Sequence, residues 1–143
     1  MSDFRKLSDS MLASPQIELT DIAEAKAAGV TLIVNNRPDG EEPSAPQGDD
    51  IASAAEAAGI GYVAIPIGHS GFSETQIDQM IAAMDAADGV VLGYCRSGTR
   101  STLLWSLAQA KIGTAPDDIA RMAMAAGYDV SPIRPMLDML AAR

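Results

Sequence analysis

The sequence predicts an α/β fold in layers, with a mainly parallel central sheet flanked by helices. Three observations predict it. Short apolar or β-branched runs are bounded by turn residues, a helix-forming segment stands before each of them, and glycine closes those segments. The chain has 143 residues, 48% of them apolar, so a core can form without a disulfide or metal staple. One domain spanning residues 1–143 is the expectation.

The opening MSDFRKLSDSML lacks the continuous apolar stretch of a signal peptide, and no later run approaches bilayer length. A soluble, cytoplasmic protein without membrane contact is expected. TDIAEAKAAG (20–29) then reads as a helix and VTLIVNN (30–36) as a buried strand. The polar, turn-rich RPDGEEPSAPQGDD (37–50) reads as a mobile surface loop. Next come the helix DDIASAAEAAG (49–59), the strand GYVAIPI (61–67) and the helix SETQIDQMIAAMDAADG (73–89). In the last of these Ser73 and Gln76 fit a capping box, and Ile77, Met80, Ile81 and Met84 fall on one stripe.

GVVLGYC (89–95) is the third strand, and RSTLLWSLAQAKIG (100–113) is apolar on most faces, as a helix buried at the centre of the fold would be. Trp105 belongs to it, and the helix methionines Met80, Met84, Met122, Met124, Met136 and Met139 read as core. TAPDDIARMAMAAG (114–127) and SPIRPMLDMLAAR (131–143) complete the helices, with Ser131 and Pro132 as cap and first helical residue of the latter. AAG recurs at Gly29, Gly59 and Gly127. The unequal intervals make it punctuation rather than a repeat: alanine-rich last turns closed by a left-handed glycine.

Lysine and arginine number 10 against 19 acidic residues, a net charge of −9 that repels nucleic acid and anionic lipid. One cysteine cannot form an internal disulfide. With a single histidine beside it there is no zinc-ligand spacing, so neither a metal nor another cofactor is expected.

GYCRSGTRS (93–101) holds that cysteine. A strand ending at Cys95, a short turn through Gly98 and a helix beginning near Arg100 turn successive backbone amides toward one point. Such a nest binds an oxyanion and favours thiolate over thiol. Arg96 and Arg100 add fixed charge, Gly98 permits a positive φ, and Ser101 can donate to the sulfur or to a departing atom. A lone cysteine is most often an inert small hydrophobe. Two arginines this close to a buried strand would be costly to place without an anion, which favours a nucleophile.

At these residues the chain resembles the cysteine phosphatase-like superfamily, and within it the phosphatase-like domain of beta-lactamase hydrolase-like proteins, some members of which are labelled sulfur transferases. The resemblance runs from QIELTDIAEAKAAGVTLIVNNRPDGEE through AAEAAGIGYVAIPI to YCRSGTRSTLLWSLAQAKIG and AAGYDV, and the chain looks like a stand-alone, full-length member. It implies a three-layer protein-tyrosine-phosphatase-like fold, with the cysteine loop at the carboxyl ends of the central strands.

Two departures bear on the chemistry. Cysteine phosphatases carry C-x-x-G-x-x-R, whereas the last position here is Ser101 and the arginine comes one residue sooner, at Arg100. CRSGTR instead resembles the rhodanese loop C-R-x-G-x-R, whose cysteine carries a sulfane sulfur as a persulfide. Ester cleavage also needs a proton donor, normally an aspartate on an upstream loop, and IPIGHSGFSE (65–74) has none. His69 or Glu74 would substitute, although a loop histidine as readily bonds to backbone.

The candidate site is therefore Cys95, Arg100, Ser101 and His69 for catalysis, with Arg96, Ser97, Gly98, Thr99 and Arg37 holding the substrate. Arg37 alternatively pairs with Asp39, Glu41 or Glu42, and Asn35 and Asn36 tie neighbouring loops together. The expected guest is a small anion: thiosulfate, a persulfide or a phosphoester. Sulfur transfer through a Cys95 persulfide leads, since sulfite or a thiolate leaves without an acid. The alternatives are a phosphatase passing through a phosphocysteine and a non-catalytic anion-binding regulatory module.

Overall fold

The computed structural model describes residues 2–143. Five strands form one sheet: β1 (Arg5–Ser8), β2 (Met11–Ser14), β3 (Val30–Asn35), β4 (Gly61–Ala64) and β5 (Val90–Tyr94). Their order is β1-β2-β5-β3-β4, with β1 and β2 antiparallel and every other pair parallel. The helices are α1 (Asp21–Ala27), α2 (Gly48–Ala57), α3 (Glu74–Ala86), α4 (Thr99–Lys111), α5 (Pro116–Ala125) and α6 (Arg134–Ala141). This is the expected α/β architecture, helices on both faces of a mainly parallel sheet.

Alternation along the strands divides the core. Ile33 and Leu92 face one way and join Ile22 and Ala25 of α1 and Ile51 and Ala55 of α2. Val34 and Val91 face the other way, into a larger cluster with Ile77 and Met80 of α3, Leu104 and Leu107 of α4, Ile119 of α5 and Leu137 of α6. Helix α4 is buried along most of its length, as its sequence predicts, and Trp105 is 1% exposed. Two of its buried hydroxyls are satisfied by the helix itself: the Thr102 hydroxyl donates to Gly98 O (2.9 Å) and the Ser106 hydroxyl to Thr102 O (2.7 Å).

Several expectations are refined. The hairpin β1–β2 was not predicted. The strand expected over 61–67 ends as such at Ala64, although Ile65 N–H and Ile67 N–H still reach Asn35 O and Asn36 O (both 2.9 Å). Ser131 and Pro132 open a 3₁₀ turn (Ser131–Ile133) rather than an α-helix, which begins at Arg134. Met80 is buried, but Met124 and Met139 are more than half exposed, so those two are not core. Gly29, Gly59 and Gly127 all have positive φ, as the AAG reading requires. Among the described residues no helix is long and apolar enough to cross a membrane.

Candidate active site

Ser14, Asn35 and Tyr94 stand in register at the carboxyl ends of three parallel strands, so the chain leaving each strand arrives at one edge of the sheet. Cys95 follows β5 directly. Its N–H donates to Ser14 O (3.3 Å), and Arg96 O accepts from Gln16 N–H (3.2 Å), which ties the turn to the segment leaving β2. Gly98 then adopts φ +90°, which aims its N–H at Cys95 Sγ (3.1 Å). Its carbonyl receives Thr102 N–H (2.9 Å), the first turn of α4. Ser97 closes the turn: its hydroxyl meets Thr99 Oγ1 (2.9 Å) and accepts from Thr99 N–H (3.3 Å). The first-turn amides of α4 have no intrahelical acceptor and point toward the cysteine end.

Cys95 is 0% exposed. Its burial is polar rather than hydrocarbon, since Sγ accepts the backbone N–H of Gly98. Arg100 projects from α4 into the mouth. Its Nη1 donates to Ile67 O and to Glu41 Oε2 (both 2.9 Å), and its Nη2 donates to Glu41 Oε1 (2.7 Å). Glu41 also accepts from Arg37 Nε (2.8 Å), while Arg37 Nη1 donates to Gln16 Oε1 (3.0 Å). The paired Arg100 bonds above all, with Arg37 adding and burial opposing, hold the Glu41 carboxyl down to about 2. In return Glu41 is the chief reason that Arg100 lies above its ordinary value.

An open cleft of about 680 Å³ lies over this constellation, with Asp39, Glu41, His69, Arg96 and Arg100 in its walls. The structure thus gathers most of the residues named from sequence. Arg96 and His69 are exposed at the mouth, and Ser97, Gly98 and Thr99 build the turn. Arg37 is nearly buried behind Glu41, bonded to Glu41 and Gln16. The Ser101 hydroxyl is buried and makes no hydrogen bond to Cys95 Sγ or to any other described residue. Glu74, weighed as a proton donor, instead pairs with Lys111 (3.2 Å) and Arg143 (2.8 Å) at the far end of α4, about 18 Å of helix from the turn. Asn36 does tie loops together, donating to Ile65 O (2.9 Å).

Gln16 and Tyr128 escaped sequence reasoning, and Glu41 was weighed only as a partner of Arg37, not of Arg100. The Tyr128 hydroxyl donates to Ser97 O (3.1 Å) and packs against Gly98, while Arg5 lies 5.1 Å over its ring. The segment expected to be mobile is internally bonded. Gly40 N–H reaches Gln47 Oε1 (2.7 Å), the Gln47 amide reaches Ala45 O (2.8 Å), and Gly48 N–H reaches Asp39 Oδ1 (2.9 Å).

Comparison with known proteins agrees with this geometry. The sequence model of the family described as beta-lactamase hydrolase-like protein, phosphatase-like domain, matches residues 3–112. A beta-lactamase hydrolase-like protein of Agrobacterium fabrum is 32% identical over 126 residues, which is 87% of this chain and 29% of that protein. The chain therefore spans less than a third of the length of the curated relative. Among solved structures, a candidate phosphatase of Neisseria meningitidis superposes with a TM-score of 0.85 at 33% identity, covering 98% of this chain and 99% of the other. TpbA of P. aeruginosa, solved as a cysteine-to-serine variant with phosphotyrosine, shares the fold at 14% identity and a TM-score of 0.65, over 95% of this chain and 90% of the other. By sequence and fold, the chain belongs to the phosphatase-like domain family of beta-lactamase hydrolase-like proteins.

Proposed function

We propose that this chain transfers a sulfane sulfur through a persulfide on Cys95. The Cys95 thiolate attacks the outer sulfur of an anionic donor such as thiosulfate. A bond forms between Sγ and that sulfur as the donor's S–S bond breaks, and sulfite leaves with the electron pair. An acceptor thiolate then attacks the outer sulfur of the persulfide, and Cys95 departs as thiolate, so no external oxidant or reductant enters. The first-turn amides of α4 and Arg100 hold the donor's anionic end, Arg96 draws it into the cleft, and the unpartnered Ser101 hydroxyl is available to the transferred atom.

The observation that carries this reading is the state of the carboxyls around a buried sulfur, of which Asp39 in the cleft wall accepts from Gly48 N–H (2.9 Å). The loop over 65–73, where a phosphatase would place its acid, contains no carboxylic acid. Glu41, the carboxyl beside Arg100, is held too acidic to give up a proton at neutral pH. Sulfite or a thiolate leaves without protonation, whereas an alkoxide does not. The burial of Cys95 further favours a slender reacting terminus such as a single sulfur atom.

A second reading, phosphoester hydrolysis through a phosphocysteine with His69 as acid, is favoured by the fold shared with a structure that holds phosphotyrosine. Intact-mass measurement after thiosulfate or glutathione persulfide separates the two. A one-sulfur adduct present in the wild type and absent in Cys95→Ser supports transfer. No adduct, together with aryl phosphate turnover abolished by Cys95→Ser, reverses the ranking. Sulfate or phosphate binding with neither reaction makes the chain an anion-binding module.

A further inference from the structure

One peptide unit of the cysteine turn is held at both ends. The Ser97–Gly98 peptide gives its N–H to Cys95 Sγ (3.1 Å), and its carbonyl, Ser97 O, accepts from the Tyr128 hydroxyl (3.1 Å). In a planar trans peptide these two groups point in opposite directions, so a grip on the carbonyl fixes where the N–H is aimed. The turn cannot do this alone. Gly98 has no Cβ, and glycine enters left-handed and right-handed backbone about equally well, so the peptide plane before it is free to turn over. A plane turned over would aim Ser97 O, a partial negative charge, at the sulfur. The Ser97 hydroxyl does not prevent this, since its own bonds run to Thr99.

Tyr128 is placed to hold that carbonyl. It follows the left-handed Gly127, its N–H donates to Ala123 O (2.9 Å), and its side chain is buried in the larger apolar cluster. Arg5, paired with Asp3 (3.1 Å), lies 5.1 Å over the ring. The hydroxyl fills the space that a Cβ on residue 98 would take, so the glycine that frees the plane is also what admits its lock. On the reading of Cys95 as nucleophile, on which this rests, we propose that Tyr128 is a positioning residue. Through the Ser97–Gly98 peptide it keeps a backbone donor on Cys95 Sγ and so sustains the thiolate. Burial above all holds the Tyr128 phenol above its ordinary value, so the hydroxyl keeps its proton and remains a donor.

Cys95 is the sole cysteine, so its modification by iodoacetamide, followed across the pH range in which a thiol titrates, reports one sulfur. Tyr128→Phe keeps the ring against Gly98 and removes the donor. Its rate profile should move toward alkaline pH by about one unit, the scale of one hydrogen bond to a charged group, while the alkaline plateau stays near wild type. In an amide-exchange measurement Gly98 N–H should also lose protection in this variant. Ile119→Val, in the same cluster but with the hydroxyl bond intact, should leave the profile in place. The charged groups around the cleft, Asp39, Glu41, His69, Arg96 and Arg100, are the same in all three proteins, so the difference between profiles is what is read. A Tyr128→Phe profile that coincides with wild type overturns the proposal. So does one lowered by a single factor at every pH without moving, which is what a merely structural role gives. If wild type takes up no sulfur from thiosulfate, the reading of Cys95 as a sulfur carrier falls, and the displacement of the profile still decides the part of Tyr128.

Discussion

A methyl group placed on Gly98 would collide with the Tyr128 hydroxyl oxygen and lie 3.0 Å from its ring carbon Cζ and 3.2 Å from the Ser14 carbonyl carbon, on a backbone already at φ +90°. The glycine is thus required twice, for its left-handed φ and for the approach of Tyr128. Gly98→Ala should cost about 2–4 kcal/mol, combining the φ penalty with overpacking, and should slow iodoacetamide modification of Cys95. Tyr128→Phe removes the donor to Ser97 O and should cost about 1 kcal/mol on its own. In the double variant the worst clash is gone, so the glycine substitution should cost less there than in wild type. Denaturant titration of the four proteins measures the difference, and strict additivity would show that the tyrosine does not define the turn. Glu41 makes a separate prediction about acid. Its folded value of about 2 lies below the unfolded value near 4.3, so its contribution is complete above the unfolded value and is lost as pH falls through the folded one. The stability gap between wild type and Glu41→Gln should stay constant from neutrality to about pH 5 and shrink below about pH 4. A gap that instead changed between pH 6 and 8 would place the titration elsewhere.

Elements were legible where periodicity, caps and glycines agreed. The box at Ser73 was readable from spacing alone: Gln76 N–H donates to Ser73 Oγ (3.1 Å), and the Gln76 side chain receives Ser73 N–H (2.8 Å). That cap also reaches the site, because the Gln76 amide donates to Pro66 O (2.9 Å) and so steadies the loop that carries His69. Ser73→Ala should lower stability by about 1 kcal/mol, checked by thermal denaturation. An unchanged midpoint would mean that the first turn of α3 is held by packing rather than by its cap. Hairpin β1–β2 was not legible, since RKLS and MLAS are each four residues and their pattern is too short to separate from loop. The cysteine turn was legible because it is contiguous, whereas its supports are not. Glu41 meets Arg100 across 59 residues and Tyr128 meets Ser97 across 31, pairings that only the crossovers of the sheet create. The Arg37–Glu41 pair, four residues apart, was within reach of the sequence and was weighed there as one of three choices.

For the whole molecule, the sheet separates two apolar clusters, and each supports a different half of the site. The cluster holding α1 and α2 lies under the chain that leaves β3 and carries Glu41 toward Gly48. The cluster holding α3 to α6 supports α4, the source of Arg100, and Tyr128, which follows α5. Ile51 on α2 and Ile119 on α5 are both 0% exposed, one in each cluster, with the sheet between them. Ile51→Val and Ile119→Val should each cost about 0.5–1.5 kcal/mol, the lost transfer energy plus a small cavity. Residues with no shared partners combine additively to within about 0.5 kcal/mol, so the double variant should lose the sum. Such additivity would mean that the two clusters, joined by the sheet, pack independently beneath Glu41 and Arg100. A coupling above about 1 kcal/mol would show that strain crosses the sheet from one cluster to the other.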